Sequence, residues 1–177
     1  MPCLGGALTI YENYGRLKGI NITYVGDGNN VAVSLMEISA KMGANFSIAN
    51  PEHYDMPAAA VEVAKEIARG SGSRLSFFRD PHEAVKHADV IYTDTWTSMG
   101  QEDEAAERER VFPPYRVNDQ LVSEGNPDDI VMHCLPAHRN QELTDSVADG
   151  SHSRIFPQAH NRLHAQKAIV YTLLKGA

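Results

Sequence analysis

The stretch Ile130-Val131-Met132-His133-Cys134-Leu135-Pro136, entered from Asp128-Asp129, is a short apolar run that stops at a histidine, a thiol and a chain-stiffening proline. Such a run, bounded by turn signals, reads as a buried strand. Buried strands of α/β proteins deliver whatever follows their carboxyl ends to a ligand crevice. An imidazole, a soft thiol and a proline together are more than a turn requires.

Working outward, four similar runs precede it: Asn21–Val25, Asn45–Ala49, Arg74–Phe78 and Asp89–Thr93. Helical patterns separate them, over Val31–Met42, Ala58–Arg69, Pro81–His87 and Glu102–Arg110, with a short helix at Asn118–Glu124. Alternating elements of this length predict an α/β fold, a doubly wound parallel sheet of about five strands with helices on both faces. Right-handed crossovers leave few topologies, and the order 3-2-1-4-5 is the one expected. The whole chain, 1–177, reads as one domain of ordinary size. Two further helices are expected at the ends, Leu8–Tyr14 and Gln158–Leu174, and neither has a strand of its own to cross over. They either pack on this sheet or are made for something else. Their Leu8, Ile10, Leu163, Ile169, Val170 and Leu173 are expected to be partly uncovered.

Composition excludes several classes. Hydrophobic residues make up 42% and charged residues 22%, ordinary for a globular chain. The net charge of -7 offers no basic stripe for a nucleic acid. No apolar run is long enough to span a bilayer, and the amino terminus lacks a signal pattern, so no membrane association and a cytoplasmic setting are expected. In that setting Cys3 and Cys134 read as free thiols. The charge run from Gln101 to Arg110 is mixed in sign and reads as a solvated helix face.

Three loops carry chemistry. The first strand ends in Gly26-Asp27-Gly28-Asn29-Asn30. This is half of a dinucleotide fingerprint, but Val31 stands at the third glycine and Asn50, not an acid, ends the second strand. One asparagine should cap the next helix and leave the other amide free for a ligand. The fourth strand ends in Asp94-Thr95-Trp96-Thr97-Ser98-Met99-Gly100. Asp94 can hold an ammonium group there or simply brace its loop; Trp96 and Met99 are packing residues by default. After the fifth strand, His133, Cys134 and His138 match no structural zinc spacing, and no metal or cofactor is assigned. Cys134 is a nucleophile or a buried inert thiol. In the 3-2-1-4-5 order these three loops converge at the switch point, and an amide, a carboxylate and a thiol together suit an amino acid with a side-chain amine.

Taken together, the three motifs resemble ornithine carbamoyltransferase, specifically its carboxyl-terminal ornithine-binding domain, from about Leu8 to the end of the chain. The resemblance implies that Asn30, Asp94, Ser98 and Met99 hold ornithine, with Asp94 and Cys134 beside its reacting δ-amine. It implies that the Leu135 carbonyl and Arg162, in Asn161-Arg162, meet carbamoyl phosphate. Arg162 would otherwise read as an exposed helix cation. It also implies arginine biosynthesis or the urea cycle as the setting, and a homo-oligomer. No Ser-x-Arg-Thr phosphate motif occurs in the sequence, and Met1-Pro2-Cys3-Leu4 stands where His-Pro-x-Gln would be expected. The expectation is therefore a substrate-binding half that engages carbamoyl phosphate only with a missing amino-terminal domain. The alternative is an amino-acid-binding or interaction module without turnover.

Overall fold

The structure is a computed structural model that describes residues 2–97, 100 and 102–176. Five parallel strands, β1 (Asn21–Val25), β2 (Asn45–Ala49), β3 (Leu75–Phe78), β4 (Val90–Thr93) and β5 (Ile130–His133), lie in the order β3-β2-β1-β4-β5. The expected α/β architecture and strand order are both present. Alternate side chains serve opposite faces. Ile22, Tyr24, Phe46, Ile48, Tyr92 and Met132 join a core with Ile10, Leu35, Met36 and Ala64. Val25, Ala49, Ile91 and Val131 join a second core with Ala84, Val85, Leu121 and Val147.

The helices are α1 (Pro2–Tyr14), α2 (Asn30–Met42), α3 (Ala58–Ser71), α4 (Pro81–Val85), α5 (Ala105–Val111), α6 (Asp119–Val122), α7 (Asp145–Ala148) and α8 (Ile155–Lys175). Short 3₁₀ turns at Glu102–Glu104 and Pro113–Tyr115 flank α5. Their ends follow local chemistry. Asn29 caps α2 by accepting from the Val31 and Ala32 amides, and Gly43 closes it in the left-handed conformation. Asp80 caps α4 with Pro81 in its first turn, and Asn118 caps α6. Asp89 lies outside β4 because its carboxylate clamps the strand ends, accepting from the Asn21 amide and the Asn126 side chain.

Both end helices exceed their expected lengths. α1 starts at Pro2 and runs straight through Gly5-Gly6, residues that would ordinarily discourage a helix. The reason is α8: a Cβ on Gly5 would sit 3.0 Å from both Arg162 Cγ and Arg162 N. The glycine lets two helices meet backbone to backbone. α8 starts at Ile155, with Pro157 in its first turn where no amide bond is lost. Ile10 is fully buried, against expectation, because α1 carries it into the core. Leu163, Val170 and Leu173 are 55%, 55% and 75% exposed and Leu8 and Ile169 partly exposed, as expected. Among the described residues no helix is long and apolar enough to cross a membrane.

Candidate active site

The loops after β1, β4 and β5 meet at the carboxyl edge of the sheet, joined by side chains. The Asn29 Nδ2 donates to Asp94 Oδ2 at 3.2 Å while its Oδ1 caps α2. The Cys134 thiol donates to Asp94 Oδ1 at 3.0 Å. Asp94, 7% exposed, thus braces all three loops and also fronts the hollow beside them. That cavity, about 600 Å³, is lined by Asn30, Asp94, Thr97, Cys134, Leu135 and Pro136, among others. Because Asn29 takes the cap, Asn30 keeps its side chain exposed at the cavity wall. Ser98 and Met99 lie outside the described residues.

In this structure the Cys134 thiol is a hydrogen-bond donor. Burial, and then the charge and hydrogen bond of Asp94, push Cys134 well above its usual range, so it stays protonated at neutral pH. Cys3, on α1, is pushed up to about 11 by burial and donates to the Val31 carbonyl. Both cysteines are free.

Leu135 and Arg162 frame the other side. Leu135 sits at φ 57° and precedes a cis peptide to Pro136. Its amide donates to His133 Nδ1 at 2.8 Å. The other ring nitrogen, Nε2, lies 3.1 Å from Glu142 Oε1, which also accepts from the His138 amide at 2.6 Å. His133 and Glu142 are both fully buried. This pair fixes the path of the loop from Cys134 to His138, a role the sequence motif did not reveal. Arg162 is half-buried rather than a free surface cation, and its Nη1 donates to the Cys134 carbonyl at 2.9 Å. It ties α8 to the β5 loop.

Asp94, His133 and Cys134 place a carboxylate, an imidazole and a thiol within 4.8 Å of one another. As arranged they bond to the protein: both nitrogens of His133 are engaged and the thiol donates to Asp94. His138 is exposed and contributes only its backbone to this cluster.

Arg108 is the residue most misjudged by composition. The run from Gln101 to Arg110 is not wholly solvated: Arg108 is 3% exposed. Its Nη1 donates to Asp27 Oδ2 at 2.6 Å and to the Trp96 carbonyl at 2.7 Å, and its Nε donates to Glu104. The guanidinium also lies over the Tyr54 ring, 4.9 Å from its centroid. Arg108 therefore ties the β1 loop to the loop that carries Asp94. Trp96 packs on Phe112, the packing role expected of it. Gly28 has a structural role too. A Cβ there would come within 2.4 Å of the Met56 amide nitrogen, so the close approach a dinucleotide fingerprint reserves for pyrophosphate is taken by the loop after β2.

A protein-family model described as the Asp/Orn binding domain of aspartate/ornithine carbamoyltransferase matches residues 18–173. The ornithine carbamoyltransferase of Bacillus subtilis is 54% identical over 175 residues, covering 98% of this chain and 55% of that protein. That of Thermococcus kodakarensis is 51% identical over 177 residues, covering 99% of this chain and 56% of that protein. The solved ornithine carbamoyltransferase of Pyrococcus furiosus superposes with a TM-score of 0.90 at 50% identity, over 96% of this chain and 55% of that one.

Proposed function

Since the chain belongs to the aspartate/ornithine carbamoyltransferase family, and spans about 56% of the length of the curated relatives it matches, we propose that it is the ornithine-binding half of an ornithine carbamoyltransferase. Residues 1–177 then act as one aspartate/ornithine-binding-type domain. The observation that carries this is the meeting of Asn29, Asp94 and Cys134 from three loops, with Asp94, Cys134 and a free Asn30 lining one hollow. A buried carboxylate with an amide and a thiol for partners is suited to receive an ammonium group. The relatives are ornithine carbamoyltransferases, and the side chain of ornithine ends in one.

In this reading Asn30, with Ser98 and Met99, meets the α-amino and α-carboxylate end of ornithine. Asp94 and the Cys134 thiol orient the δ-nitrogen. That nitrogen must lose a proton before it can attack, because an ammonium has no lone pair. The amine then forms a C–N bond to the carbonyl carbon of carbamoyl phosphate; the C–O bond to phosphate breaks, giving citrulline and phosphate. The Leu135 carbonyl would accept from the carbamoyl NH₂ and Arg162 would face the phosphate end. With no Ser-x-Arg-Thr in these residues, the chemistry, which is mostly positioning and electrostatic stabilisation, needs further groups. The protein would work as a homo-oligomer.

The test is calorimetry with ornithine together with a citrulline assay, run with and without a supplied carbamoyl phosphate-binding domain from a relative. Weak ornithine binding, no citrulline alone and citrulline on complementation are expected. Citrulline from the purified chain alone would overturn the half-site reading. Ornithine binding with no turnover under either condition would favour the module without catalysis.

A further inference from the structure

His160 and His164 stand four residues apart on α8, one turn from each other on the same face. They are the one histidine pair with that spacing in the sequence. Both are exposed, and their Nε2 atoms lie 3.0 Å apart with the rings inclined at 69°. One ring must donate to the other, so a single proton lies between two nitrogens that face each other. The pair opens on a hollow also lined by Leu8, Glu12, Pro157 and Asn161. Asn161 is buried; it donates to Glu12 Oε2 at 2.6 Å and to Thr9 Oγ1, which holds this face of α8 against α1.

We propose that His160 and His164 form a surface chelate for a divalent late transition ion, Cu²⁺ or Ni²⁺. Two imidazole nitrogens, each about 2.05 Å from a shared ion, stand about 2.9 Å apart at a right angle and about 3.3 Å apart at the tetrahedral angle. The observed 3.0 Å falls by the right-angle value. That geometry belongs to adjacent corners of a square-planar or octahedral ion, which imidazole ligands suit. The ion takes the place of the shared proton: the donating ring moves its hydrogen to Nδ1, and small ring rotations aim both lone pairs at one point. Glu12, on the facing helix, puts a carboxylate in the same hollow, and the chain's net charge of -7 favours cation approach. Water fills the remaining corners. The ion clamps the turn of α8 that carries Asn161 and Arg162.

The experiment is a titration of the untagged chain with Cu²⁺, followed by electron paramagnetic resonance, and with Ni²⁺ by calorimetry. The parent should bind one ion with two nitrogen couplings in the copper spectrum. His160→Asn and His164→Asn should each weaken binding at least about tenfold and leave one nitrogen, because a chelate loses its effective concentration when either arm goes. Both residues are exposed, so circular dichroism of the variants should match the parent. Asp94→Asn and Cys134→Ser should leave the titration unchanged. A one-nitrogen copper signal in the parent, unaltered affinity in either histidine variant, or loss of binding in the Asp94 or Cys134 variants would overturn the assignment. None of these outcomes depends on ornithine.

Discussion

Asp94 and Cys134 make one hydrogen bond between them but carry different loads. A bond to a charged group contributes on the order of 1.5–3 kcal/mol, more than a weak neutral donor. Asp94→Asn should therefore cost ornithine affinity by about that amount, and Cys134→Ser by less, in side-by-side calorimetry. Equal affinity of Asp94→Asn and the parent would remove Asp94 from the proposed site. Arg108 poses a stability question. Burial raises the Asp27 pKa, and the hydrogen bond and charge of Arg108 oppose that rise. An acid whose folded-state pKa is raised adds stability below its unfolded pKa and loses it as pH rises through the folded value. Arg108→Met removes the opposing partner and leaves a buried carboxylate, at a cost of about 3–5 kcal/mol near neutrality. The deficit against the parent should shrink as pH is lowered, and in an Asp27→Asn background it should be smaller near neutrality and vary less with pH; urea unfolding across pH checks both. The sequence showed Asp94 and Cys134 readily, because each sits at the end of an apolar run. It hid Arg108, since nothing in a run of alternating charges says which arginine turns inward. It also hid Glu142, whose partner His133 lies nine residues away across a loop.

The elements were legible wherever apolar periodicity and caps agreed, as in α2 with Asn29 and Gly43. α1 extends six residues ahead of the Leu8–Tyr14 pattern, through Gly5-Gly6, a pair that speaks against a helix until its neighbour is known. Gly5→Ala should expose the difference. Alanine is the better helix former, yet its methyl would press on Arg162. A destabilisation of about 1–3 kcal/mol is expected from the overpacking. Gly70→Ala is the control: it lies within α3, with no atom within 4 Å of an added Cβ. It should stabilise by about 0.5–1 kcal/mol. If Gly5→Ala is as benign in thermal melts as Gly70→Ala, the close contact of α1 with α8 is not a constraint.

At the scale of the molecule, the strand order followed from alternation and handedness, and the convergence of three loops followed from the order. The bare face of the last helix followed as well, since that helix has no strand of its own to cross over. Beyond Asn161, α8 leaves Leu163, Val170, Tyr171, Leu173 and Leu174 more than half exposed. Soluble monomers seldom leave such a face bare, so the isolated chain should self-associate through it. Sedimentation or light scattering over a dilution series should show a mass that rises with concentration and falls with Leu173→Glu. A constant monomer mass would mean that this helix tolerates water.

The strand order also sets a timetable. β1 meets β2 across only 24 residues, Asn21 to Asn45, but meets β4 across 68, Val25 to Thr93, and β4 and β5 loops close over 40, Asp94 to Cys134. Distant pairings form late because the entropy of closing the intervening chain opposes them before any contact rewards it. The β1–β2 portion of the sheet can assemble while the loops after β4 and β5 are still apart. During refolding, helical signal should return first and the ability to hold a ligand last, so a nascent or damaged copy would look folded before it could bind anything.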